Sequence, residues 1–451
     1  MGKSRENWES RKKEESGKTG ESKKRGKRGK WLLPAGLLLA SGLLNAAAWG
    51  SDSFADWYVR HVFPLWSETY GRLTGLAPFS VGEVMIVAGI VWMAAAAGAA
   101  VTAAVLRLRA AIGRIGKDRE NKGKQEENSE AAGASESVPA ARREEKSAAA
   151  KSSPRCSRAY RGAARFLYAT GVLLSAVLLV MTLNCFILYQ AAGLGDVREG
   201  KSEREQAVLY SAEQLALVRD HIVTRANELA QSVPRDAQGE VIFPERMDET
   251  AAAAMRALAA SFPQLSGYYP PPKEMFFSDL MSQSYMQGYY FPFSMEANYN
   301  TTMARLNVPY TMCHELSHLK GYILEDDANM LAFLACIGSD DAAFVYSGYL
   351  GVLNYVNNDF YEAIGKNPQT YAAHPAISEQ VRADNAFLTD DAWKKVEQKA
   401  VVPTQTARAV SAAFTETTLQ ANGVREGMKS YNQVVERLMD YYLTTEPLGA
   451  L

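Results

Sequence analysis

The reading turns on His314-Glu315-Leu316-Ser317-His318 and, a few residues on, Glu325-Asp326-Asp327-Ala328-Asn329. Two histidines four apart on a helix lie one turn apart on the same face, so both imidazoles can reach one ion. A catalytic zinc takes three protein ligands and keeps a fourth position open. The third ligand is expected from the acidic turn: Glu325 first, with Asp326 and Asp327 as the alternatives. Glu315, next to the first histidine, can face a water at the open position. There it would take the water's proton and pass it to a leaving group. Asn329, one turn beyond Glu325, could orient a ligand from behind, or make a local hydrogen bond within its helix. Gly321, three residues after His318, stands where a helix end calls for a left-handed residue.

Working outward, the amino-terminal part of the chain has a different character. Three segments are long and apolar enough to cross a bilayer, which takes about 20 residues: Trp31–Gly50, Ser80–Leu106 and Arg165–Gln190. The first ends in Asn45-Ala46-Ala47-Ala48, similar to a signal-peptide cleavage site, but its long basic lead favours a retained anchor. Residues 1–30 hold 12 Lys and Arg and residues 107–165 hold 15, whereas residues 51–78 hold only Arg60 and Arg72. The positive-inside rule therefore puts the basic tail and the 107–164 loop in the cytoplasm, and everything after residue 191 outside. The expected organisation is a basic tail (1–30), two spans with a short outer loop (31–106), a cytoplasmic loop (107–164), a third span (165–190) and an extracytoplasmic domain (191–451). Residues 117–157 are rich in Lys, Glu, Ser, Ala and Gly, the composition of a disordered linker or interaction tail. Ala94, Gly98 and Thr102 form a small-residue pattern that permits close helix packing; an Ala-rich helix accounts for it equally well.

The formal net charge of −1 offers no global basic field, so no nucleic-acid partner is expected. The four cysteines, Cys156, Cys185, Cys313 and Cys336, form no C-x-x-C pair and no disulfide framework. Cys313 and Cys336, in apolar surroundings, read as buried thiols. Helices are predicted over 203–232 and 248–262, a Tyr268–Pro272 breaker follows, and 274–300 reads as short aromatic strands. Helices resume at the His314 segment, at 325–337 and at 340–363, then near 375–400, 405–420 and 427–444. The domain is thus expected to be mainly α-helical with one small sheet.

The segment resembles zincin metallopeptidases of the gluzincin kind, in which HExxH is followed by a helix carrying Glu-x-x-x-Asp. Here Glu325-x-x-x-Asn329 stands in that place, with Asn for Asp and six residues between His318 and Glu325. The short gap and Gly321 are similar to the HExxHxxGxxH pattern of metzincins. Leu324 occupies the place of their third histidine, which excludes metzincin ligation. The resemblance implies an α+β zincin-like domain, zinc as cofactor, and an edge strand that holds substrate backbone. The 286–300 stretch is similarly placed, with ordinary core sheet as the alternative. A second resemblance rests on Ala77–Glu83, Gly288–Phe293, Glu296–Asn298, His314–Asn329 and Ala421–Tyr431. These look like a bacterial membrane-protein family of unknown function, metallopeptidase-like by its HExxH, with the 107–164 loop an addition.

Two functions follow as expectations. One is a zinc endopeptidase of the bacterial plasma membrane, with His314, His318 and Glu325 on the metal and Glu315 as general base, acting on a peptide or protein substrate outside the bilayer. The other is a non-catalytic zinc-binding sensor or assembly protein that signals to a cytoplasmic partner through residues 107–164. Intramembrane proteolysis is rejected because Lys320 and the three acids make the region too polar for a lipid-exposed span. His374 and Tyr431 are secondary candidates for stabilising an oxyanion.

Overall fold

The computed structural model describes residues 31–132, 154–194, 210–424 and 433–445. Three helices are long and apolar enough to cross a membrane: Leu32–Gly50, Val81–Gly113 and Arg158–Gln190. The first is α1 (Leu32–Gly50) and the second begins α2 (Val81–Ala132). The third comprises α3 (Pro154–Met181), a π-helical turn at Thr182–Phe186 and a 3-10 turn at Leu188–Gln190. Helix α2 continues through Ala132, so the first part of the stretch expected to lack structure is helical. Its Lys and Glu residues are good helix formers, and low hydrophobicity alone does not stop a helix from extending out of a span. The rest of that stretch, 133–153, and the basic tail lie outside the described residues.

The chain divides into two units, one drawn from Met1–Leu39 and Ile86–Leu178, the other from Ala40–Met85 and Leu179–Leu451. In the first, α2 meets α3 through Trp92, whose ring lies 4.9 Å from that of Phe166 and whose indole N–H donates to Thr170 at 3.1 Å. Ala96 and Ala103 are buried on this unit's α2 segment. Ala94, Gly98 and Thr102 are exposed, and a Cβ at Gly98 would meet nothing within 4 Å. The small-residue pattern is therefore not the packing face here; Trp92 draws its own side of the helix inward.

The second unit is built on helices. Its main ones are α4 (Ala212–Ser232), α5 (Met247–Ala257), α6 (Val308–His318), α7 (Glu325–Ile337), α8 (Ala342–Ala363), α9 (Thr404–Ala421) and α10 (Val434–Asp440). The predicted 325–337 helix is α7 to the residue. The 375–400 helix is instead split into Glu379–Asp384 and Asp390–Lys399, each started by a side-chain cap, Ser378 and Thr389. Residues 203–209 and 427–432 of two further predicted helices lie outside the described residues. The 274–300 stretch is only partly extended. It holds β1 (Lys273–Glu274), β2 (Gly288–Phe291) and β3 (Glu296–Tyr299), with a short helix at Ser278–Gln283 among them. The sheet order is β1-β3-β2, with β1 parallel and β2 antiparallel to β3, so β2 is an edge.

Helix α6 is the centre of this unit. Apart from His314 every residue in it is buried, the pattern of a core helix enclosed on all sides. Pro309 sits in its first turn, where a missing N–H costs nothing. The end of α6 is closed by Gly321, at φ +94°, a conformation that favours glycine. A Cβ there would also come within 2.8 Å of Val59. Tyr322 N–H donates back to Ser317 O at 3.2 Å, the bond that finishes a helix before a reversal. This reversal carries the chain back along α6 and starts α7 beside it. The three acids in the first turn of α7 suit the positive end of its dipole.

Candidate metal centre

Because α7 starts where α6 ends, its first turn faces the last turn of α6. Nε2 of His314 lies 3.1 Å from Nε2 of His318, and Oε2 of Glu325 lies 3.1 Å and 3.9 Å from those two nitrogens. All three ligand atoms fall within 4.8 Å of one another, as residues that could hold a metal ion must. Zinc bonded to N and O at about 2.0–2.1 Å with tetrahedral angles puts its ligand atoms roughly 3.3–3.4 Å apart. The observed triangle has that size. Its donor set, two imidazoles and one carboxylate, suits zinc.

The orientation of each imidazole is set from behind. His318 Nδ1 faces the carbonyl of Tyr322 at 2.7 Å, which calls for a proton on that nitrogen and leaves the Nε2 lone pair toward the triangle. Asn329 lies close enough to His314 to help raise its pKa. Asn329 in turn accepts from the Tyr310 hydroxyl at 3.2 Å through Oδ1 and at 3.0 Å through its carbonyl. Asn329 is thus near His314, and its own amide nitrogen is buried without a partner among the described residues.

The acids next to Glu325 point elsewhere. Asp326 and Asp327 each lie 3.1 Å from Arg437, and Asp327 also accepts the N–H of Leu194. Of the three candidates, the fold brings Glu325 to the histidines. A helix turn aims successive residues about 100° apart, so only one of three adjacent acids can share a face with the site.

Glu315 is buried beside the triangle, and its Oε2 has no hydrogen-bond partner among the described residues. A buried carboxylate oxygen left unpaired is costly unless a ligand or water meets it. Burial pushes its pKa up to about 8, with Glu325 adding to the rise, while His314 and the N–H of Tyr290 pull the other way. Burial lowers His318 to about 4 and opposes charge on His314 as well. In His314, however, the hydrogen bond and charge of Glu325, with Glu315 and Asn329, win and raise the pKa. Two carboxylates and two imidazoles thus converge here, with one oxygen of Glu315 lacking a partner among the described residues, a donor set that a cation would satisfy.

Strand β2 comes close to Glu315. A Cβ at Gly288 would lie 2.4 Å from its Oε1, so this approach requires glycine. Three tyrosines also surround the site. Tyr289 keeps part of its ring exposed, and burial of its phenol, with nearby Cys185 and Glu315, pushes its pKa up to about 12. Burial and the charge of Glu325 do the same to Tyr355, and Tyr189 lies within electrostatic reach of Glu325. None of the three is signalled in the sequence, since each is far from His314 along the chain and an isolated Tyr has no motif. Tyr289 alone carries a hint, in the aromatic run after Gly288. His374 belongs to another cluster, 2.7 Å from Asp220 and packed on Phe360, and Tyr431 lies outside the described residues. Cys313 and Cys336 are free, buried thiols with sulfurs 3.9 Å apart.

Fold and site together define a mainly helical protein with three membrane-span-type helices and a His-His-Glu group that could hold a metal ion. Residues 149–439 match the family described as protein of unknown function (DUF3810), and the chain belongs to that family. The match takes in the third span and the metal centre but not residues 77–83, on which part of the resemblance rested. No curated protein and no solved structure matches the chain.

Proposed function

We propose that the chain is a membrane-anchored zinc peptidase, with His314, His318 and Glu325 holding the ion and Glu315 as general base. The carrying observation is the triangle of ligand atoms with the unpaired Glu315 Oε2 beside it. Zinc held there would polarise a substrate carbonyl and acidify a water. Glu315 Oε2 is free to accept one proton of that water as its oxygen bonds to the carbonyl carbon. The same carboxyl then delivers the proton to the amide nitrogen as the C–N bond breaks, and the water's second proton follows to the amine, leaving a carboxylate and an ammonium group. Its position beside the ligand triangle suits Glu315 to both halves, since one oxygen has no partner among the described residues and can take and return a proton. The charge bias of the sequence supports an extracytoplasmic position for this domain. Residues 107–164 would be available to a cytoplasmic partner.

Purified full-length protein should carry about one zinc per chain. Glu315→Gln should keep that zinc while hydrolysis of a mixed peptide library falls by about 10²–10⁴-fold. Protein without zinc, or a Glu315→Gln variant with unchanged hydrolysis, would sink the reading. Zinc with no hydrolysis in the wild type would favour the non-catalytic sensor.

A further inference from the structure

The metal centre lies beside the places where the apolar spans end, and strand β2 links the two. At one end of this four-residue strand, the backbone of Gly288 packs on Glu315. At the other, the Phe291 ring packs on Gly82, where a Cβ would meet it at 2.8 Å. Gly82 is the second residue of the span Val81–Gly113. Three steps along a strand cover about 10 Å, which separates the residue packed on Glu315 from the residue packed on the start of the span. The third span reaches the same strand. Asn184 Nδ2 donates to Pro292 O at 2.8 Å, and the Tyr290 hydroxyl donates to Asn184 O at 3.2 Å. Asn184 lies in the span Arg158–Gln190, in its last turns.

This junction is held firmly. Glu296 of β3 accepts the N–H groups of Val81 and Gly82 at 3.1 and 2.7 Å and pairs with buried Lys273 of β1. Glu83, one residue further into the span helix, accepts the N–H groups of Phe276 and Phe277 at 2.9 and 2.8 Å. Carboxylates that accept the first N–H groups of a helix satisfy donors that lipid could not. The strand therefore cannot drift from the span. Around this junction the surface is apolar and open: Phe276 is 86% exposed, and Leu76, Phe79 and Phe277 are also exposed. Aromatic side chains bared at the mouth of a span are suited to the bilayer interface.

Among the described residues β2 pairs with β3 alone, and at its Gly288 end the strand packs directly on Glu315 beside the ligand triangle. An extended peptide laid along this edge would run between the ion and the mouth of the second span. We propose that the substrates are polypeptide segments within a few residues of their own membrane anchor, cut at the bilayer surface. This rests on the peptidase reading and adds the substrate class. A soluble peptide would have to reach the edge past the interface, whereas a membrane-anchored one is delivered to it. Confinement also raises the local concentration of the anchored substrate, as short tethers do.

The test uses the full-length zinc-loaded protein in lipid nanodiscs. One mixed peptide library is presented three ways: directly after a transmembrane helix, after a 30-residue flexible spacer, and on a soluble carrier. The expected result is cleavage of the directly anchored library about tenfold or more faster than either other form, abolished by Glu315→Gln. Equal or faster cleavage of the soluble form would overturn this inference and leave the peptidase reading intact. Faster cleavage of both anchored forms without a difference between them would also overturn it, because tethering rather than position would then decide. Cleavage of none of the three would overturn the peptidase reading, and this inference with it.

Discussion

A methyl group at position 288 probes the arrangement of base and strand most sharply. In Gly288→Ala the new Cβ would stand 2.4 Å from Glu315 Oε1, 2.7 Å from Glu315 Cγ and 2.7 Å from Thr311 Cγ2. Ordinary contact begins at 3.4 Å, so the carboxylate must retreat by about 1 Å or the strand must lift by as much. Strand β2 is tied to β3 and, through Phe291 and Tyr290, to the ends of two spans, so the side chain is the softer partner. A misplacement of about 1 Å in a catalytic group costs on the order of 100-fold in rate. That is about 2.7 kcal/mol in the barrier. Glu315 and Thr311 are the nearest groups to the new methyl, so zinc should remain. The assay pairs zinc per chain, by elemental analysis, with hydrolysis of a peptide library by the full-length protein. Full zinc with a rate within about threefold of wild type would refute the close approach of strand and base. Loss of zinc as well would show that Gly288 does more than give Glu315 room.

Three further outcomes are expected. Glu325→Ala should weaken zinc binding by more than about 100-fold, while Asp326→Asn stays within a few-fold of wild type; equal losses in a zinc-competition titration would mean that the acidic turn binds as a cluster. Tyr289→Phe should lower hydrolysis by about 10–100-fold at full zinc if its hydroxyl steadies the carbonyl oxygen as it gains charge, and an unchanged rate would rule that out. Arg219 is fully buried, donating to Asn357, Asp220 and the carbonyl of Pro375, so Arg219→Met should cost about 3 kcal/mol or more. A loss below about 1 kcal/mol in urea unfolding would show that this network is not needed for stability.

Much of the centre was legible in the sequence because its parts are local. His314 and His318 are one turn apart on one helix, and that spacing alone puts them on one face. Glu325 was a choice among three adjacent acids. The turn at Gly321 decided it, through the direction in which α7 returns along α6. The spacing of Asn329 from Glu325 left two roles open, and its nearness to His314 depends on α6 and α7 packing side by side. His374 pairs with Asp220, which is remote in sequence and so gave no signal there.

Local patterns, then, determined the three long apolar helices, the placing of His314 and His318 on one helix face and the mainly helical character of the chain. Hydropathy and helical spacing act over a few turns, so these features need no tertiary partner. The tertiary structure decided which acid joins the histidines, that Glu315 keeps one oxygen unpaired, and which tyrosines surround the site. It also decided that β2 runs from Glu315 to the start of the apolar helix at Val81. These depend on contacts between residues far apart along the chain, formed when burying α6 on all sides draws the sheet, α7 and the ends of the spans around it.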